Sequence, residues 1–554
     1  MKKLAMILAL MLLAATAALS LAGCGGHDDK NTDKVDSTRS QIYAGIMDGG
    51  WGDAFLVSAK GKFEEKYKDV SFEDGKTGVQ VMIDKQRTYN GVILRESMKT
   101  TFNEIFFTEN INYYDFINAG VLADITDVVT APLTEFGETK SIEDKMYPEE
   151  KEFLKRKSDN KYYAVPFVEP YSGIIYDADL FDSYGFYLGK GGGYVNAAGE
   201  KSAGPDGQTG TWDDGFPATY DEFFDLVDYI DGSSVVPIIW SGQYPEYASY
   251  VGTSLWTDYE GPANTRLNFT FGGTADNLVS ADAAGNLTPL GPTEIGESNA
   301  ALLGKQAGRF YGLDFLRRLV LSGGYHNLSY SPTLSHTNTQ QEFLYSAHMS
   351  GKKPIAMMCE CTWWEGEATP VFEEMAVNDA SLGKKARNLG FMPLPKATTA
   401  QIGSNGGKQT LMQLNENAIF VNSRTAPAKL PLVKKFLQFF LTDAMMVNFT
   451  QVTGNPLGYN YTLTEADQAA MSPFGRSVWA TKMNSTIIYT GADSALYLNH
   501  QGDVLNTRLM WDAVIGSTSY RFPVTYYKNN STQPTKAYFD GVGKYYANIF
   551  GEPK

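Results

Sequence analysis

Apolar positions fall into two rhythms along this chain, after an opening run that has neither. From Leu4 to Ala22 almost every residue is apolar, behind Met1-Lys2-Lys3. That is the pattern of an export leader rather than of a folded element. Residues 25–40 are then polar and charged, with too few aliphatic side chains to bury themselves, and they read as a flexible tether. Short continuous apolar runs follow and predict strands at Gln41–Ile46, Val79–Ile83 and Glu104–Phe107. Between the first two, Phe55, Ala59, Phe63 and Tyr67 recur every four residues, one face of an amphipathic helix. Strand, helix, strand at this spacing is the parallel crossover unit. Tyr113–Ala119 reads as a helix stopped by Gly120.

A second block opens at Tyr162–Phe167, where Pro166 favours extended chain, and continues into the strand Gly173–Tyr176 and the helix Ala178–Tyr184. Residues 189–215 hold nine glycines, a loop composition. A helix with Thr219 as its cap follows, then a stretch from Ile239 to Glu260 crowded with rings. Phe310–Leu321 and Gln340–Met349 read as helices, Ile355–Cys359 and Asn417–Val421 as strands. Leu432, Val433, Phe436, Leu437, Phe440 and Leu441 make a strongly apolar helix face, and Thr453–Leu457 is a turn. The remainder is largely helical, with tyrosine-rich loops.

Length and charge narrow the picture. At 554 residues the chain has material for two lobes with full cores, and no stretch after the leader is apolar long enough to span a bilayer. A formal charge of −16 argues against nucleic acid and anionic lipid as partners. Of three cysteines, Cys359 and Cys361 sit two apart, where a strand puts both on one face and a bridge would be strained. They read as packed thiols rather than as a metal or disulfide site. The five histidines show no ligand spacing with them.

Enzyme signatures are thin. There is no Gly-x-Ser-x-Gly elbow and no His-Glu-x-x-His, and Gly403–Gln409 only imitates a phosphate loop, with Ile402 in place of its first glycine. No cofactor is implied. The loop Gly204–Gly215 carries Asp206, Asp213 and Asp214 among glycines and could wrap calcium, although it lacks the twelve-residue spacing; a plain surface loop is the alternative.

Two resemblances give these pieces a meaning. Leu21-Ala22-Gly23-Cys24 resembles the lipobox of bacterial lipoproteins, which implies a signal peptide over 1–23 and a lipidated Cys24 heading the tether 24–40. A simple signal peptide or a retained transmembrane helix is the alternative. Five further pieces in order are similar to the extracellular solute-binding proteins of ABC importers, the group that resembles the maltose-binding protein. They are Gly49–Phe55; Tyr162–Phe167 with Ile174–Phe181; Pro217–Phe223; Ser350–Met357 leading to Trp363; and Lys434–Thr442 with Thr453–Pro456.

The resemblance implies an α/β fold of two hinged lobes, each a mixed sheet flanked by helices. One lobe is expected over 40–167 plus 395–460, the other over 168–394 plus 461–554, with crossings near 167–170, 394–403 and 453–461. The family would capture a sugar or oligosaccharide by lobe closure and deliver it to membrane permease subunits. This chain would do so as a monomer lipid-anchored on the extracytoplasmic face of the bacterial cell membrane.

A sugar site needs flat rings and short polar groups. The chain has 33 tyrosines, 31 phenylalanines and eight tryptophans, and several lie beside carboxylates. Trp51, Asp53, Trp240, Glu360, Trp363, Trp364 and Glu365 are the candidate ligand contacts, most of them just past a strand end. A core ring or, for Asp53, a helix cap is the competing role of each. Which of Trp363 and Trp364 faces the ligand stays open. A surface-anchored glycoside hydrolase, which needs only two placed carboxylates, and a ligand-presenting sensor are the alternative functions.

Overall fold

A computed structural model describes residues 34–86, 91–414, 416–501 and 511–553. The leader, Cys24 and most of the tether lie outside the described residues. None of the described helices is long and apolar enough to cross a membrane.

Two mixed sheets carry the molecule. The first runs in the order Val79–Gln86, Ser40–Met47, Ile105–Thr108, Ala418–Val421, Val165–Pro166. Its first three strands are parallel and its last two antiparallel to their neighbours. Helices cover it, which is why its inner strands are continuous apolar runs rather than alternating ones. Phe55, Leu56, Ala59 and Phe63 of the helix Ala54–Lys66 face inward. Phe63 meets Phe436 and Phe439 of the helix Leu430–Phe440 at ring-centroid distances of 5.0 and 5.2 Å, and Phe55 meets Phe449 of Asp443–Thr453 at 4.9 Å.

The second sheet runs Val236–Ile239, Ile355–Cys361, Ser172–Asp177, Leu389–Phe391. The first pair is parallel and the others antiparallel. Every residue of Ile355–Cys361 is buried, and Cys359 and Cys361 are free thiols packed in it. Asp177 ends the central strand, caps the helix Ala178–Tyr184, and pairs with Arg387 at 2.6 Å. Thr219 accepts a bond from the Glu222 N–H, the cap its sequence predicts for Tyr220–Asp231.

The chain leaves the first sheet at Pro166 and enters the second at Ser172. After Leu389–Phe391, residues 396–412 are tied to elements outside the first sheet. Lys396 pairs with Asp258 at 2.8 Å, and Gln409–Met412 runs parallel to Ser485–Ile488. The chain next pairs with the first sheet at Ala418–Val421. At the junction the crossing segments lie side by side: Gly458 donates to the Phe167 carbonyl at 2.7 Å, Glu169 N–H to Pro456 at 3.0 Å, and Leu414 N–H to Pro170 at 3.0 Å. Glu169, fully buried there, accepts from Lys482 at 2.9 Å and from Tyr489 at 2.6 Å.

Two segments differ from their sequence reading. The ring-rich stretch is a long helix, Glu246–Thr270, kinked where Gly261 takes φ 69° and Pro262 lacks an N–H for the ladder. Within the glycine-rich 189–215, Tyr194–Val195 pairs back onto Tyr187–Leu188 as a small hairpin, because turns with positive φ at Gly192 and Gly193 let the chain reverse.

Candidate functional site

The site assembles where strands of both sheets end. The strand Ser40–Met47 runs into a turn whose Gly50 and Gly52 take φ of 54° and 67°, a region cheap only for glycine, and this turn presents Trp51. Ile105–Thr108 delivers Glu109. From the other side, Ile355–Cys361 delivers Glu360. It continues into Thr362, whose hydroxyl accepts from Tyr171 N–H at 3.2 Å and whose carbonyl accepts from Asn455 at 3.1 Å. Those two junction residues fix the backbone just before Trp363 and the short helix Trp364–Glu367. The helix His336–Ser346 adds His336 and Gln340.

The two sides touch here. Gly50 N–H donates to Glu367 Oε1 at 3.3 Å, and the Trp51 and Trp363 rings meet edge to face at 5.6 Å and 89°. A Cβ on Gly366 would lie 2.7 Å from the Gly50 carbonyl oxygen. Gln340 Nε2 bridges two acids, donating to Glu367 at 2.7 Å and to Glu360 at 3.3 Å, while Glu360 also accepts from the Cys361 N–H at 2.9 Å. Glu109 points to the same place, since a Cβ on Gly50 would stand 3.2 Å from its Oε1. His336 stacks on Tyr247 at 5.9 Å with its Nε2 3.9 Å from Glu367.

Burial pushes all three carboxyls up: Glu109 to about 7, Glu367 to about 7, and Glu360 well above the ordinary carboxyl value, with the neighbouring Glu367 charge adding to the rise at Glu109 and Glu360. The Trp51 N–H opposes the rise at Glu109 without forming a hydrogen bond of ordinary geometry. Burial lowers His336, so it favours the neutral ring. The result is a wall of rings and acceptors able to hold a flat, donor-bearing molecule.

Of the sequence-derived candidates, the structure brings together Trp51, Glu360 and Trp363. Trp364 turns into the core, fully buried against Phe343, Phe372 and Phe474. Successive helical residues point about 100° apart, so two adjacent tryptophans cannot share one face. Trp240 does follow a strand end, but it is packed against Tyr325 at 5.0 Å and Tyr330 at 5.5 Å. Glu365 is buried beside Ser472, 2.8 Å away, and Lys384. Asp53 occupies the cap position of Ala54–Lys66 without a capping bond and instead pairs with Lys85 at 2.8 Å. In the glycine loop, Asp213 accepts from Asp206 N–H, Asp206 from Gln208 N–H and Asp214 from Gly210 N–H, so the carboxylates serve the turn itself. Among the described residues no cluster of side chains could hold a metal ion.

Glu109, Glu367, Gln340, His336 and Tyr247 were not among the contacts expected from the sequence. Glu109 obeys the same strand-end rule as Trp51 and could have been found by it. The helix bearing His336 and Gln340 offers no such signal.

No family model matches the chain, and no curated protein matches it either. Solved structures do. A chitin oligosaccharide binding protein aligns over 92% of this chain and 99% of its own at 14% identity and a TM-score of 0.52. The binding protein RafE, in complex with raffinose, covers 92% and 99% at 12% identity and 0.52. A cyclic α-maltosyl-1,6-maltose binding protein from Arthrobacter globiformis covers 93% and 99% at 10% identity and 0.52. This chain has the fold of the two-lobed solute-binding proteins. At such identities the likeness is one of fold, and the residues described above are this chain's own. The two strand-end clusters come together where strands of the two sheets end, with Gly50–Trp51 against Trp363–Glu367.

Proposed function

We propose that the protein is the solute-binding component of a carbohydrate importer. It captures a sugar or oligosaccharide between its lobes, taken as 40–167 plus 413–460 and 168–412 plus 461–554, and hands it unaltered to membrane permease subunits. The observation that carries the reading is the meeting of Gly50–Trp51 from one lobe with Trp363–Glu367 from the other, flanked by buried carboxyls and an amide. Rings suit the CH faces of a sugar, and the acids and Gln340 suit its hydroxyls. The neighbours named above bind chitin oligosaccharide, raffinose and a cyclic maltosyl-maltose, which supports the class of ligand. A ligand that bridges both sides has greater affinity for the shut form and shifts the population toward it. The permease would read that shut form.

The leader and Cys24 support an anchor of two or more acyl chains, which would hold a monomer at the extracytoplasmic face of the cell membrane. A thermal-shift screen over mono- and oligosaccharides tests the reading, because a ligand that binds only the folded form raises the melting temperature. No shift with any sugar refutes it. Glu109 and Glu367 in one cleft also suit a glycoside hydrolase. Release of reducing ends from the bound sugar would favour that second reading, and a binding protein releases none.

A further inference from the structure

The acids of the candidate site have little positive charge beside them. Glu109, Glu360 and Glu367 converge on one place, and among the described residues no Lys or Arg forms an ion pair with any of them. Among the described residues the one basic group within ion-pair distance of these acids is His336, 3.9 Å from Glu367, and burial lowers its tendency to take a proton. The donors that do reach the acids are neutral: Gln340 Nε2, the Gly50 N–H and the Cys361 N–H. Gln340, which is 1% exposed, spends both its bonds on the acids and leaves its own Oε1 buried without a partner, a further acceptor at the same point. Aromatic faces complete the surround, with Trp51 against Trp363 and Tyr247 stacked on His336.

A purely neutral sugar leaves these acids in the protonated form that burial favours, so it gains nothing from their capacity to become charged. An ammonium group offers three donors, no acceptor and one positive charge, and aromatic faces attract it as well. A buried acid cluster gains most from a ligand that supplies the missing cation.

We propose that the ligand is a sugar carrying a protonated amine, and that Glu109, Glu360 and Glu367, with Gln340 between the last two, form the seat for its ammonium group. The inference rests on the sugar-binding reading and names its substrate class. Closure then brings Glu109 from one lobe onto an ammonium held by Glu360 and Glu367 of the other, so the charge itself helps to latch the lobes.

Calorimetric titration of the mature chain with a glucosamine tetramer and with the matching N-acetylglucosamine tetramer tests this. The aminated tetramer is expected to bind about tenfold more tightly or better, the scale of a hydrogen bond to a charged group. The double variant Glu360→Gln with Glu367→Gln, checked for folding by its melting curve, should erase most of that preference. Glu109→Gln, on the opposite lobe, should reduce it independently. Equal or tighter binding of the acetylated tetramer overturns the ammonium seat and leaves the sugar-binding reading standing. Binding of neither tetramer also overturns it, and the screen over other sugars then decides the wider reading by itself.

Discussion

Gly366→Ala separates closure from folding. The three nearest atoms that a Cβ at this position would meet are Gly50 O at 2.7 Å and Trp51 C and Cα at 3.1 Å, all on the opposite lobe. Unstrained carbon contacts begin near 3.5 Å, so the lobes must part by roughly 1 Å at this point to admit a methyl group. Overpacking of a tight contact costs about 1–3 kcal/mol. In the proposed clamp the open form would lack the contact, so the whole penalty would fall on the shut form and ligand affinity should drop by about 5- to 150-fold. Calorimetry with the sugar identified by the thermal-shift screen measures the drop, and the melting temperature of the unliganded variant should match the parent. Affinity within twofold of the parent would refute the reasoning. So would an unliganded variant destabilised as much as its affinity falls, since the contact would then belong to the folded state as such.

Three further outcomes follow from the same geometry. Trp364→Ala should cost about 3–5 kcal/mol of stability by chemical denaturation, the range for emptying a fully buried tryptophan site, whereas Trp363→Ala should leave stability nearly intact and weaken sugar binding; the reverse assignment would exchange their roles. Because burial holds Glu109 and Glu367 near 7 against an ordinary 4.5, the unfolded chain releases protons above pH 4.5 that the folded chain keeps. Their contribution is therefore full below about pH 4.5 and lost as pH rises toward 7, so the melting temperature should fall across that window and Glu367→Gln should flatten the slope; a rising profile from these groups contradicts their placement. Cys24→Ser should abolish incorporation of labelled fatty acid and release the protein from the membrane, and a variant that stays labelled would refute the anchor.

The alternation of apolar runs and helical faces made the first sheet, the two central strands of the second and their main helices readable, because covered strands are uniformly apolar and the flanking helices keep a clean stripe, whereas the edge strands Val236–Ile239 and Leu389–Phe391 went unread. The long helix at Glu246–Thr270 was not readable, since its buried face mixes Thr, Ser, Gly and Asn with its rings and Gly261-Pro262 interrupts it. For the site, the strand-end rule reached Trp51, Glu360 and Trp363, but it reports where a backbone goes and not where a side chain turns. Trp240 ends a strand and is nevertheless claimed by Tyr325 and Tyr330, and Asp53 is claimed by Lys85. Gln340 and His336 enter from a helix far along the chain, and only tertiary packing brings them to Glu360 and Glu367.

Small-angle X-ray scattering of the mature protein, with and without a saturating sugar, addresses the clamp directly. Lobe closure predicts a smaller radius of gyration in the bound state, reversed when the sugar is dialysed away and recovered intact. Superimposable curves for the free protein and for a protein shown by calorimetry to be saturated would contradict it.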